Sequence, residues 1–97
     1  MGGKKDLADI RRVLFGSIFG IPFRMFVRVI KLLGYVFTRQ SGSHAIYRHP
    51  KVPELLNIQP DQNNHAKRYQ VDELRRRNQQ YRLFRAPRKR NGQTDSD

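Results

Sequence analysis

The chain carries three histidines, His44, His49 and His65, and these are its best candidates for moving protons. An imidazole takes and gives protons near neutral pH, so a positioned histidine suits general acid–base work. The sequence has no cysteine, which removes thiol nucleophiles, disulfides and zinc fingers. There is no Gly-x-Ser-x-Gly elbow and no glycine-rich loop to cradle phosphates. The carboxylates Glu54, Asp61, Asp72 and Glu73 are sparse, and the histidines lack HxH or HExxH spacing. Neither a metal site nor a cofactor is expected.

His44 stands just beyond a glycine turn, in Ser41-Gly42-Ser43-His44, with Arg39 and Arg48 close in sequence. By spacing alone, a half-exposed strand histidine making one hydrogen bond is the ordinary reading. The neighbourhood supports a second one. Two arginines could hold a phosphodiester beside the imidazole. RNA supplies its own nucleophile, the 2′-hydroxyl, so its cleavage needs a base, an acid and cationic stabilisation but no metal. His49 lies an odd number of residues away and so faces the other side of an uninterrupted strand, which points to a structural role. The sequence leaves His65 in a loop without a role.

Charge points the same way. Lys and Arg number 20 against 8 Asp and Glu, a formal net charge of +12 over 97 residues. Such an excess favours polyanions, since each neutralised phosphate releases counterions. Arg24, Arg28 and Lys31 form a basic stripe, with Arg28 and Lys31 candidates for RNA contact alongside Arg39 and Arg48. The run Arg75-Arg76-Arg77 reads as a solvated face or as a face for phosphate or a partner. The apolar run Val13–Phe23 is eleven residues long, where a spanning helix needs roughly 20. No membrane segment is expected, and the chain reads as a cytoplasmic protein.

These residues need a scaffold. Asp6 is placed to cap a helix from Leu7 to about Phe15. A second helix is expected over Phe23–Leu33, with Pro22 in its first turn, Ile21 as a poor cap and Gly34 at its end. Tyr35–Gln40 and His44–His49 read as a hairpin closed at Ser41-Gly42-Ser43. Tyr35, Phe37 and Tyr47 are core candidates first and base-stacking candidates second. Pro50 and Pro53 should bracket a loop before a third strand, Leu55–Gln59, in which Leu56 and Ile58 face one way and Asn57 and Gln59 the other. A last helix is expected from Gln70 to Phe84, its apolar stripe Val71, Leu74 and Tyr81 interrupted by Asn78. The order predicts an α+β sandwich with helices on one face of a three-stranded antiparallel sheet. One domain over 1–85 is expected, with its core at about 22–84 and a disordered basic, polar tail over 86–97.

The helix ending in Leu33-Gly34, the aromatic strand after it and the Gly42-Ser43-His44 turn together resemble the HicA family of toxins. Leu56-Asn57-Ile58-Gln59-Pro60 and Tyr69-Gln70-Val71 resemble a longer subgroup of that family, as does the stretch through Gly16-Ser17. The resemblance implies a fold like a double-stranded-RNA-binding domain, preceded here by an extra helix. It implies metal-independent endoribonuclease cleavage of mRNA and neutralisation by a HicB-like antitoxin. It places the catalytic histidine at His44 and the turn glycine at Gly42, with Ser43 supporting the site. The alternative is a non-catalytic RNA-binding module of the same fold, and a third class is an amphipathic protein at a membrane surface.

Overall fold

The computed structural model describes residues 3–85, so the expected tail over 86–97 lies outside the described residues. Its elements are α1 (Gly3–Phe15), α2 (Phe23–Leu32), β1 (Val36–Ser41), β2 (His44–His49), β3 (Val52–Ile58) and α3 (Arg68–Tyr81). The strands form one antiparallel sheet in the order β1-β2-β3. The succession α2-β1-β2-β3-α3 is that of a double-stranded-RNA-binding domain, with α1 added in front. One core joins the helices to a single face of the sheet, through Val13, Phe26, Ile30, Leu56, Ile58, Val71 and Leu74 among others. Phe26, Ile30, Leu56 and Leu74 are fully buried, each a gain of about 1.5–3 kcal/mol over exposure.

α1 starts earlier than the sequence predicts, and Asp6 lies inside its first turn rather than capping it. The Asp6 carboxylate bonds instead to Arg28 of α2. At α2, Pro22 is itself the cap position, without a side-chain cap bond. The exposed amides of a helix start still need partners. A neighbouring loop supplies one: Phe23 N–H donates to the Asn64 carbonyl at 3.0 Å. Ala66 N–H in turn donates to the carbonyl of fully buried Ile21 at 2.8 Å. The poor cap predicted at Ile21 is thus replaced by a long-range tie.

Two glycines set the hairpin. Gly34 leaves α2 with φ 104°, a conformation that L side chains avoid. Ser41 pairs with His44, so the connection is the two residues Gly42-Ser43. Gly42 has φ 61° while Ser43 is not among the positive-φ residues, the pattern of a type II′ turn. β3 begins before the expected Leu55 and includes Pro53. The expected loop shrinks to Pro50-Lys51, because β3 is an edge strand and an edge tolerates a residue with no N–H to donate.

α3 runs over Arg68–Tyr81, shorter at its end than predicted. Three of its polar residues, Arg75, Arg77 and Asn78, are tie points to the rest of the fold. Arg75 donates from Nε to the Val13 carbonyl at 2.8 Å and from Nη2 to the Gly16 carbonyl at 2.9 Å, closing the end of α1. Arg77 is buried, bonded to the Leu55 carbonyl at 3.1 Å and to Glu73 at 2.6 Å. Asn78 Oδ1 accepts the Phe84 N–H at 2.8 Å. Of the three arginines, Arg76 alone is exposed.

Candidate active site on the open sheet face

The helices cover one sheet face, and register shows what stands on the other. Tyr47, Leu56 and Ile58 belong to the core, while Ile46 pairs with Asn57 on the opposite side. Phe37 pairs with Tyr47 but Arg39 pairs with Ile46, so Thr38 is an extra residue in β1. That bulge turns Arg39 onto the open face, where an unbroken strand would have kept it on the face of Phe37. β2 has no such insertion, so alternation carries His44, Ile46 and Arg48 to the open face together. Arg39 and Arg48 are exposed and His44 is half-buried.

His44 is held from β3. Its Nδ1 lies 2.7 Å from Oδ1 of Asn57. An amide oxygen only accepts, so Nδ1 carries the hydrogen and Nε2 is left as an unprotonated lone pair in the neutral ring. Two residues along β3's extension, Gln59 Nε2 donates to Ser43 Oγ at 2.8 Å. The Gln59 backbone N–H donates to Oε1 of buried Gln70 at 3.3 Å, which connects this contact to α3. The hairpin tip is therefore gripped at consecutive residues by two amides on the neighbouring strand. Sequence reasoning placed Asn57 and Gln59 on the polar side of β3 but assigned them no role. The missing information was which strand paired with β2, and in which register.

The other expected contacts divide. Arg28 pairs with Asp6 and, through Nε at 3.1 Å, with Asp9, so two carboxylates offset its charge. Lys31 is exposed on α2, in the helical layer across the sheet from His44. His49 is buried, as the parity argument predicts. Its Nε2 lies 2.8 Å from the Leu33 carbonyl and its Nδ1 accepts the Lys51 N–H at 3.0 Å, so both ring nitrogens are committed. Tyr35 and Tyr47 are core residues, and Phe37 is exposed, its ring in a T-shaped pair with Tyr47 at 5.5 Å between centroids. Burial pushes both phenols above their ordinary value, which keeps them neutral. His65 is half-buried in the loop beside Pro22. Among the described residues there is no group of three or more His, Asp or Glu placed to hold a metal ion. No described helix is long and apolar enough to cross a membrane.

Three helices backing one face of an open three-stranded antiparallel sheet, with an oriented histidine on the other face, define an α+β domain of the double-stranded-RNA-binding-domain-like class. Residues 23–79 match the family model described as the HicA toxin of bacterial toxin–antitoxin systems, and the chain belongs to that family. The match runs from the start of α2 nearly to the end of α3, and so includes His44, Asn57 and Gln59. Neither a curated protein nor a solved structure matches the chain.

Proposed function

We propose that this toxin is a metal-independent endoribonuclease acting on mRNA in the cytoplasm, with His44 as its general acid–base residue. The observation that carries the reading is the Nδ1 contact to Asn57, which leaves Nε2, without a hydrogen-bond partner among the described residues, as the acceptor of a half-buried ring on a basic face. A general base needs such a lone pair within hydrogen-bond reach of the proton it removes. Nε2 accepts the proton of a ribose 2′-hydroxyl, and the 2′-oxygen bonds to the adjacent phosphorus. The bond from phosphorus to the 5′-oxygen breaks, leaving a 2′,3′-cyclic phosphate; the 5′-oxygen takes a proton from water, and the imidazolium returns its proton to solvent. Arg39 and Arg48 hold the phosphate and offset the charge that builds on it. Gly42 supplies the turn and Ser43 the anchored residue before His44. Lys31 adds long-range attraction from the helical layer rather than a contact at the reacting phosphate. A HicB-like antitoxin is the partner that family membership suggests.

A non-catalytic binding module of the same fold is the alternative. Arg75, Arg77 and Asn78 of α3 are each taken up by a partner within the fold, so the polar residues of that helix give no reason to prefer it. The test uses purified protein with single-stranded RNA in excess chelator, against the same RNA carrying 2′-deoxy nucleotides. Cleavage of the first and survival of the second is expected. Uncut RNA with and without metal would remove the proposal.

A further inference from the structure

We propose that Asn57 is a positioning residue that sets the working tautomer of His44; the inference rests on the ribonuclease reading above. Isolated neutral imidazole exchanges its hydrogen between both nitrogens, and only one form presents a lone pair at Nε2. The partner of the other nitrogen decides which form is held. Here that partner is Asn57 Oδ1 at 2.7 Å from Nδ1.

The placement of Asn57 suits this task better than a loop residue would. It sits within β3, paired with Ile46 of β2, so its backbone is fixed relative to the strand that carries His44. Its neighbours Leu56 and Ile58 are fully buried and pin β3 against the helices. Asn57 therefore projects from a rigid element, as positioning groups should. Gln59 fixes the residue before the histidine through Ser43 Oγ. Asn57 orients the ring, and Gln59 limits movement of the turn that carries it. An amide differs from a carboxylate in one respect that matters. Asn57 accepts the Nδ1 hydrogen without adding a charge that would favour the protonated ring.

The first measurement is nitrogen NMR of the His44 ring in the RNA-free protein, at a pH where the ring is neutral. The Nδ1–H form is expected in the parent, and a mixture of both forms in Asn57→Ala. Cleavage by Asn57→Ala should fall about 10- to 100-fold in kcat, the scale known for partners that orient metal-bound imidazoles. KM should change less than kcat, because Arg39 and Arg48 supply the hold on the phosphate. Asn57→Asp preserves the acceptor and adds charge, so it should regain the Nδ1–H form. Its pH–rate profile should shift its acid limb to higher pH, which a merely structural role would not produce. An Nε2–H ring in the parent overturns the proposal. So does an Asn57→Ala variant with unchanged tautomer and rate, and so does an Asn57→Asp profile that coincides with the parent's. Failure of the ribonuclease reading looks different: parental cleavage in His44→Ala, whatever the NMR shows.

Discussion

A methyl group on Gly34 would lie 2.8 Å from Nε2 of His49, so the residue that ends α2 and the histidine that ends β2 fit only because one has no side chain. Gly34→Ala must strain the φ of 104° and also displace the buried ring. We expect a loss of about 2 kcal/mol or more, since strained backbone positions alone cost about 1–3 kcal/mol. Urea titration checks this, and an unchanged midpoint would show that the helix–hairpin junction yields easily. His49→Ala should also destabilise, by about 1–3 kcal/mol, because it strips partners from the Leu33 carbonyl and the Lys51 amide. Protein that still folds should cleave RNA at a rate close to the parent's.

The arginines of α3 should register in stability. Arg75→Ala removes both bonds that close the end of α1, and Arg77→Ala leaves the Leu55 carbonyl and Glu73 without their shared donor. Each should cost roughly 1–3 kcal/mol, whereas exposed Arg76→Ala should stay within about 0.5 kcal/mol. Thermal melts of the three variants check the ranking. An equal loss in all three, or none in any, would contradict the tie-point assignment.

RNA affinity should respond to the open face. Arg39→Ala and Arg48→Ala should each reduce the slope of log affinity against log salt by about 0.7 on single-stranded RNA. Arg28→Ala should leave the slope alone and lower the melting temperature, because its charge is engaged by Asp6 and Asp9. Fluorescence anisotropy over a salt series separates these outcomes. A reduced slope for Arg28→Ala alone would move the RNA surface to the helices.

Asp61 gives the fold an acid-sensitive joint. Its Oδ1 accepts the amides of Asn63 at 2.8 Å and His65 at 2.9 Å, in the loop that also holds the start of α2. The His65 amide, above all, lowers the carboxyl pKa from its ordinary 3.8. A depressed folded-state pKa means stabilisation that is fully present above the unfolded value and lost as pH falls through the folded one. Asp61→Ala should therefore melt below the parent at pH 7, and the difference should close as pH falls below the ordinary 3.8 and through the lowered value. A gap that persists unchanged into acid would deny the carboxylate this role.

Much of this arrangement was legible before the structure. The Gly42 turn, the bounds of β2 and the opposed facing of His44 and His49 follow from turn chemistry and a period of two. The same period separated Leu56 and Ile58 from Asn57 and Gln59. The hairpin pairing of β1 with β2 was legible, but the register of β3 on β2 was not, and it is that register that joins Asn57 to His44. The Thr38 bulge was equally hidden, since nothing in Phe37-Thr38-Arg39 announces an extra residue. The fates of Arg28 and Arg75 depended on contacts 22 and 62 residues away along the chain, with Asp6 and Val13. A basic stripe read from one helix cannot reveal a carboxylate on another.

The decisive measurement is RNA cleavage by His44→Ala beside the parent, with folding and RNA affinity followed in the same samples. Cleavage should fall by roughly two to four orders of magnitude, the usual worth of a positioned acid–base group. The melting temperature should hold, because His44 lies outside the buried core. Affinity should hold as well, because Arg39 and Arg48 remain on the open face. A folded, RNA-binding His44→Ala that cleaves as fast as the parent would contradict the assignment of this histidine and of the face that carries it.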